Sequence, residues 1–321
     1  MNQQPIFFKP IFQERIWGGT ELTSFGYAIP SHTTGECWAF AAHSNGQSVV
    51  KNGPLQGKTL GELWGNHRYL FGDKEGDRFP LLTKILDAND DLSVQVHPND
   101  EYAKVNENGE LGKTECWYII DCDENADMIF GHHAHSKEEF IQLINEGKWD
   151  HLLQRIKIKP GDFFYVPSGT IHALCKGTLV LETQQSSDTT YRVYDYDRHG
   201  QDGKPRELHL DKAIEVTTVP HKAQTTSPNT MKQPGGTVTT YVNEEYFSVY
   251  KWEVESSLNL TQDKHFYLCS VINGNGYVRT EEGDFKVENG DHFILPYGMG
   301  SFTIEGKVQI IASHPNNGGT K

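Results

Sequence analysis

The chain has 321 residues, and 29 Lys plus Arg stand against 43 Asp plus Glu, a formal net charge of -14; that balance excludes nucleic acid and anionic membrane as natural partners, so any bound anion needs basic residues concentrated locally. Five cysteines without a Cys-x2-Cys pair fit a reducing cytosol rather than a disulfide framework or zinc ribbon. Neither a charged leader with an apolar core in Met1–Lys9 nor a long apolar window elsewhere is present, so export and membrane insertion are not expected and the chain reads as cytoplasmic. Thirty-one glycines, 11 % aromatics and many short Val/Ile/Phe/Tyr runs predict a mainly β core with helical additions.

Residues 1–90 read as an opening part packed on the unit that begins at residue 91. Arg15-Ile-Trp-Gly-Gly19 and Gly35–Ala41 are strand-and-turn text, whereas Leu60, Leu63, Trp64, His67, Leu70 and Phe71 recur at helical spacing and place His67 in a core stripe. Phe79–Asp87 reads as a buried strand. In Leu92-Ser-Val-Gln-Val-His97 the period is two, so Ser93, Gln95 and His97 share one face and Leu92, Val94 and Val96 the other. Thr114–Asp121 reads as a further strand, with Lys113, Glu115, Trp117 and Ile119 on a common face. Both strands contain polar groups that an apolar strand does not need, and imidazole with carboxylate suits Zn²⁺ or Fe²⁺ better than Mg²⁺.

Further on, Ser136-Lys-Glu-Glu139 is a capping box, and Phe140, Leu143, Ile144, Trp149, Leu152, Leu153 and Ile156 predict a helical insertion over 136–156 broken at Gly147. His132, His133 and His135 lie in a Gly-flanked turn without a carboxylate and read as solvated loop rather than a metal site. Residues 221–236 have a linker composition. Beyond them, Asn289-Gly-Asp-His-Phe-Ile-Leu-Pro-Tyr-Gly298 aligns without gaps to Pro160-Gly-Asp-Phe-Phe-Tyr-Val-Pro-Ser-Gly169, with Ser301 standing where the first copy has His172. The two cysteines in the repeated Glu-Cys-Trp tripeptides, Cys37 and Cys116, read as small buried side chains, and Pro315–Lys321 as a frayed end.

Gly161, Pro167, Gly169 and His172 match Gly-x5-Pro-x-Gly-x2-His, the second motif of the cupin superfamily. With the internal copy this implies two cupin-type β-barrels (jelly rolls): a catalytic one over 91–220 carrying the helical insertion, and a degenerate one over 237–315 that braces it. The chain further resembles the type I mannose-6-phosphate isomerases, in particular their short bacterial form. The likeness runs through Arg15-Ile-Trp-Gly-Gly19, Phe79-Pro-Leu-Leu-Thr-Lys84, Ser93–Pro98, Gly112-Lys-Thr-Glu115, the Gly161–His172 motif, Glu182–Asp188 and Tyr191–Asp197.

The resemblance implies a zinc-dependent aldose–ketose isomerase of mannose 6-phosphate and fructose 6-phosphate. Its zinc ligands fall on Gln95, His97, Glu115 and His172, and its catalytic arginine on Arg192. The shift of a carbonyl between C1 and C2 also needs a base, for which Lys113, with a pKa expected to fall beside the cation, and Glu182 compete. Ser93 and Arg198 are the candidates for holding the phosphate. Two other readings use the same ligands: a cupin Fe(II) oxygenase with a two-histidine, one-carboxylate triad, and a non-catalytic sugar-binding cupin.

Overall fold

Strands buried on both faces, such as Thr34–Phe40, Leu81–Ala88 and Thr178–Gln185, help build two facing antiparallel sheets in the computed structural model, which describes residues 4–200 and 203–316. The first sheet runs Phe163–Val166, Glu115–Cys122, Thr178–Gln185, Leu81–Ala88, Thr34–Phe40, Ile11–Gly19; the second runs Leu153–Lys157, Asp127–His132, His172–Leu174, Val94–Val96, Tyr191–Tyr194. Between them, Leu86, Trp117, Ile119 and Val180 of the first meet Met128, Phe130 and Leu174 of the second. Residues two apart on these strands therefore share the inner layer, and the polar ones among them meet there. Among the described residues no strand pairs across from one sheet to the other, so the expected barrel is a pair of facing sheets.

Each sheet is covered on its outer side. Helices Lys137–Asn145, Trp149–Leu152 and Leu210–Val216 bring Phe140, Ile144, Leu152 and Ala213 onto Val94, Val96, Ile129, Ala173 and Val193. Behind the other sheet, Cys116, Tyr118 and Leu181 pack on Phe247, Val249, Leu268, Ile294 and Ile311 of a ten-stranded sheet built mainly from the C-terminal region. That sheet's own interior is filled by Trp252, Val278, Phe293, Phe302 and Ile304. The internal repeat is preserved in backbone geometry: Gly161 and Gly290 have φ +89° and +87°, Gly169 and Gly298 +83° and +74°, and strands Phe163–Val166 and His292–Leu295 come after the first glycine of each copy.

Several expectations are corrected. Leu153–Lys157 is a strand paired with Asp127–His132, so the insertion is helical only to Leu152; its Leu153 and Ile156 fit either period over so short a run. The capping box is half formed: Ser136 accepts from Glu139 N–H, but the Glu139 carboxylate accepts from His135 N–H. Within the linker-like stretch, Asn229–Gln233 is a strand paired with Gly236–Asn243. Ile6–Lys9 does not join the first two sheets; Ile6 pairs with Ile294 in the ten-stranded sheet. His67 is half-buried at the end of helix Leu60–Asn66 rather than in its core stripe. Of the end expected to fray, the strand Gly300–Pro315 holds Pro315, and 317–321 lie outside the described residues. Cys37 and Cys116 are buried, and no helix among the described residues is long and apolar enough to cross a membrane.

Candidate metal centre and active site

Cross-strand register assembles the site. On the second sheet Arg192 lies opposite Gln95, and Gln95 opposite His172, so three site residues form one row across three strands. On the first sheet Gln184 lies opposite Glu115, and Glu182 opposite both Trp117 and Lys84. Residues directly opposite in a pair project to the same side. The two rows face each other, and the Trp117 ring meets the His172 ring edge-on at 5.2 Å.

At the centre are His97, Glu115 and His172, all buried, whose ligand atoms lie within 4.8 Å of one another; no other such group of three occurs among the described residues. Backbone carbonyls set the tautomers. His97 Nδ1–H donates to Thr189 O at 2.9 Å and His172 Nδ1–H to Thr170 O at 2.8 Å, which turns both Nε2 lone pairs inward. Burial, then the nearby Lys113 ammonium, pushes His97 down to about 3, and burial lowers His172, so both rings are neutral.

The inward lone pairs face oxygen. His172 Nε2 is 3.2 Å from Glu115 Oε1 and His97 Nε2 is 3.5 Å from Glu115 Oε2, and Oε1 has no hydrogen-bond partner. Acceptors opposed at this range, out of water, repel unless a cation lies among them; the Lys113 ammonium relieves the His97 and Oε2 side, whereas among the described residues no hydrogen bond relieves Oε1 against His172 Nε2. Ligand bonds of about 2.0–2.1 Å in tetrahedral array place donor atoms about 3.3–3.4 Å apart, close to these separations. The Gln95 amide nitrogen is 3.3 Å from His172 Nε2, and a half-turn of the amide presents its oxygen instead. The residues therefore fit a small divalent cation, with three firm donors and an amide beside them.

Lys113 Nζ donates to Glu115 Oε2 at 2.5 Å and lies 3.1 Å from His97 Nε2. Burial works to lower its ammonium, but the Glu115 and Glu182 carboxylates outweigh burial and hold it above its ordinary range. The depressed lysine expected from the sequence is tied to a neighbouring cation; with protein charges alone around it, Lys113 lies above its ordinary range. Burial alone would raise Glu115, yet the Lys113 ammonium keeps it well below the usual carboxylate range. Glu182 is raised by burial and then by Glu115; Trp117 Nε1–H donates to its Oε2 at 3.0 Å, and its Oε1 has no hydrogen-bond partner.

A model described as phosphomannose isomerase type I, catalytic domain, matches residues 6–120, and one described as mannose-6-phosphate isomerase, cupin domain, matches residues 237–315. The chain is 60 % identical over 314 residues to the mannose-6-phosphate isomerase ManA of Bacillus subtilis (strain 168), covering 98 % of this chain and 100 % of that relative. The chain belongs to the type I mannose-6-phosphate isomerase family. A mannose-6-phosphate isomerase of Streptococcus mutans is 52 % identical over 314 residues, covering 98 % and 99 %. The crystal structure of the mannose 6-phosphate isomerase from Bacillus subtilis matches with a TM-score of 0.95 at 59 % identity, over 97 % of this chain and 99 % of that one.

Within the family fold, the remaining sequence candidates separate. Arg192 Nη1–H donates to Glu207 O at 2.8 Å while its buried Nε has no partner. Ser93 is buried on the Gln95 face. Arg198 is not brought to the cluster: its guanidinium donates to Asp195 Oδ1 at 2.7 Å and to Asp91 O at 2.5 Å, at the far end of the Gln95 strand. Those bonds engage two of its five N–H donors. Of the three loop histidines, His133 and His135 are exposed, but His132 is buried and bonds Thr218 O at 3.0 Å.

Sequence reasoning passed over Lys84. It is 3 % exposed, 3.5 Å from Glu182 Oε1 and 4.0 Å from Asp188 Oδ1, and Asp188 in turn accepts from Asn45 Nδ2. The signal was a lysine within the apolar run Leu81-Leu-Thr-Lys-Ile-Leu86.

Proposed function

We propose that the protein interconverts mannose 6-phosphate and fructose 6-phosphate by proton transfer between C1 and C2 through a cis-enediol, with one Zn²⁺ per chain. His97, Glu115 and His172 would hold the zinc, and Gln95 or a water the fourth position. The carrying observation is the set of inward, unprotonated Nε2 atoms opposed to Glu115 beside Lys113 and Glu182. When bound, zinc supplies a Lewis acid for the sugar's carbonyl oxygen.

The chain's own residues account for the proton. Glu182 has a hydrogen-bond-free Oε1 and a second oxygen oriented by Trp117, which suits a carboxylate that takes the C2 proton and returns it at C1. Lys113, kept charged by its carboxylates, opposes negative charge growing on the substrate oxygens, as does Arg192 from across the cleft. Ser93 lies on the same strand face and is taken as a phosphate contact. Residues 91–220 are read as the catalytic unit and 237–315 as its brace. The free cysteines fit a cytosolic setting.

The reading is tested by a coupled assay of mannose 6-phosphate isomerisation under anaerobic conditions, before chelation, after it, and after zinc is restored. Loss and zinc-specific recovery support it. Zinc-loaded, folded protein without turnover would overturn it, and iron- and oxygen-dependent turnover would instead favour the oxygenase.

A further inference from the structure

Arg192 is held by a segment that returns to it 15 to 17 residues later. His209 N–H donates to Arg192 O at 2.8 Å, and Arg192 N–H donates to His209 Nδ1 at 3.1 Å. The Arg192 guanidinium donates to Glu207 O at 2.8 Å, and that backbone carbonyl is its sole hydrogen-bond acceptor among the described residues. Glu207's own side chain gives it little anchorage, since its carboxylate is 84 % exposed and its ion-pair neighbour, His209 Nε2, is 4.0 Å away.

The neighbouring residue does the anchoring. Arg206 Nε donates to Asp195 Oδ2 at 2.7 Å and its Nη2 to Asp195 Oδ1 at 2.6 Å, a two-pronged pair on a carboxylate whose side chain is 5 % exposed. Asp195 lies three residues beyond Arg192, just past the same strand, and Arg198 completes its shell at 2.7 Å. Two parallel charge-assisted bonds set direction as well as distance. Arg206 thus ties the returning segment to the end of the strand that carries Arg192.

We propose that Arg206 is a positioning residue for Arg192: its grip on Asp195 holds the Glu207 carbonyl that aims the Arg192 guanidinium into the cleft. The inference rests on the isomerase reading, in which Arg192 opposes developing charge. A direct phosphate contact is the rival role: with Nε and Nη2 on Asp195, the Nη1 end of Arg206 still carries donors, and such a role would appear as a raised KM rather than a lowered kcat.

The test is steady-state kinetics on zinc-loaded wild type, Arg206→Gln, Arg206→Lys, Arg192→Gln and the Arg192→Gln/Arg206→Gln double variant. Arg206→Gln should lower kcat roughly tenfold or more with KM for mannose 6-phosphate changed less than about threefold, Arg206→Lys should fall between, and the double variant should be no slower than Arg192→Gln. Unchanged kcat, a raised KM with kcat intact, or losses that multiply in the double variant each overturn the proposal. Should Arg206→Gln fail to fold, Asp195→Asn, which keeps the shape and loses the charge, must show the same pattern. Amide hydrogen exchange separates this proposal from the functional one: the Arg192 and His209 amides should exchange faster in Arg206→Gln, and unaltered protection sinks the grip whether or not any sugar is turned over.

Discussion

Lys113 and Glu182 lie on one side of the metal cluster with different chemistry. The lysine donates to Glu115 at 2.5 Å and the carboxylates beside it hold its ammonium above the ordinary range, whereas Glu182 Oε1 has no hydrogen bond and Lys84 lies 3.5 Å from it. A base needs a free lone pair, so Glu182→Gln should cut kcat by about 10²–10⁴ and stop exchange of the C2 hydrogen of mannose 6-phosphate with deuterated water. Lys113→Met should slow turnover while leaving some exchange. Exchange that survives in Glu182→Gln and vanishes in Lys113→Met would reverse the two roles. Both residues were legible in the sequence because a charged side chain on a strand face demands a partner. The roles were not, because they depend on Trp117 holding Glu182 Oε2 while Lys84 reaches Oε1 only at 3.5 Å, and both contacts cross strands more than 60 residues away in the chain.

At the scale of an element, the turn Pro167-Ser-Gly169 joins Phe163–Val166 to the strand of His172 and touches the other ligand strand as well. Gly169 N–H donates to His97 O at 2.9 Å. Its φ is +83°, and a Cβ there would meet Thr218 Oγ1 at 2.7 Å and Val216 O at 2.9 Å. Gly161 has φ +89° but open space around the same position. Gly169→Ala should therefore destabilise by roughly 1–3 kcal/mol and weaken metal binding, while Gly161→Ala incurs only the backbone strain. Equal denaturant midpoints for the two variants would contradict this. The motif's spacing was readable because glycine and proline punctuate backbone geometry locally. Leu153–Lys157 was misassigned and Asn229–Gln233 overlooked for the opposite reason: each is a strand only through its partner.

The whole molecule is joined where local patterns are silent. Ile6 pairs with Ile294, and the Tyr27 hydroxyl donates to Gly290 O at 2.8 Å and lies 2.7 Å from His292 Nε2, so the N-terminal region closes on the C-terminal sheet, a contact with no sequence-local trace. His292 also shares a hydrogen bond with Ser270 through Nδ1, and burial drives it down to about 3; burial likewise drives His314 to about 4. Both are neutral when folded and take up protons near pH 6.5 when unfolded. The unfolded state then binds more protons, so these two contributions to stability are present above pH 6.5 and are lost as pH falls through the window from 6.5 to 3–4. Asp87, raised by burial to about 6, acts in the opposite direction as pH falls from 6 to 4. The comparison of wild type with His292→Gln isolates one histidine: the variant's stability should fall less steeply in acid, by up to about 1.4 kcal/mol per pH unit. Parallel profiles from urea unfolding at several pH values would show His292 charged in the fold.

All of this is organised around the cluster of His97, Glu115 and His172, whose ligand atoms lie within 4.8 Å of one another and fit a metal ion. The most direct test is a calorimetric titration of Zn²⁺ into metal-free protein with mannose 6-phosphate turnover measured at each addition, on wild type and on His172→Ala. One equivalent should bind wild type, activity should rise in step and stop there, and His172→Ala should bind far more weakly and stay inactive. Full turnover before any zinc is added, or equal zinc binding by His172→Ala, would contradict the account.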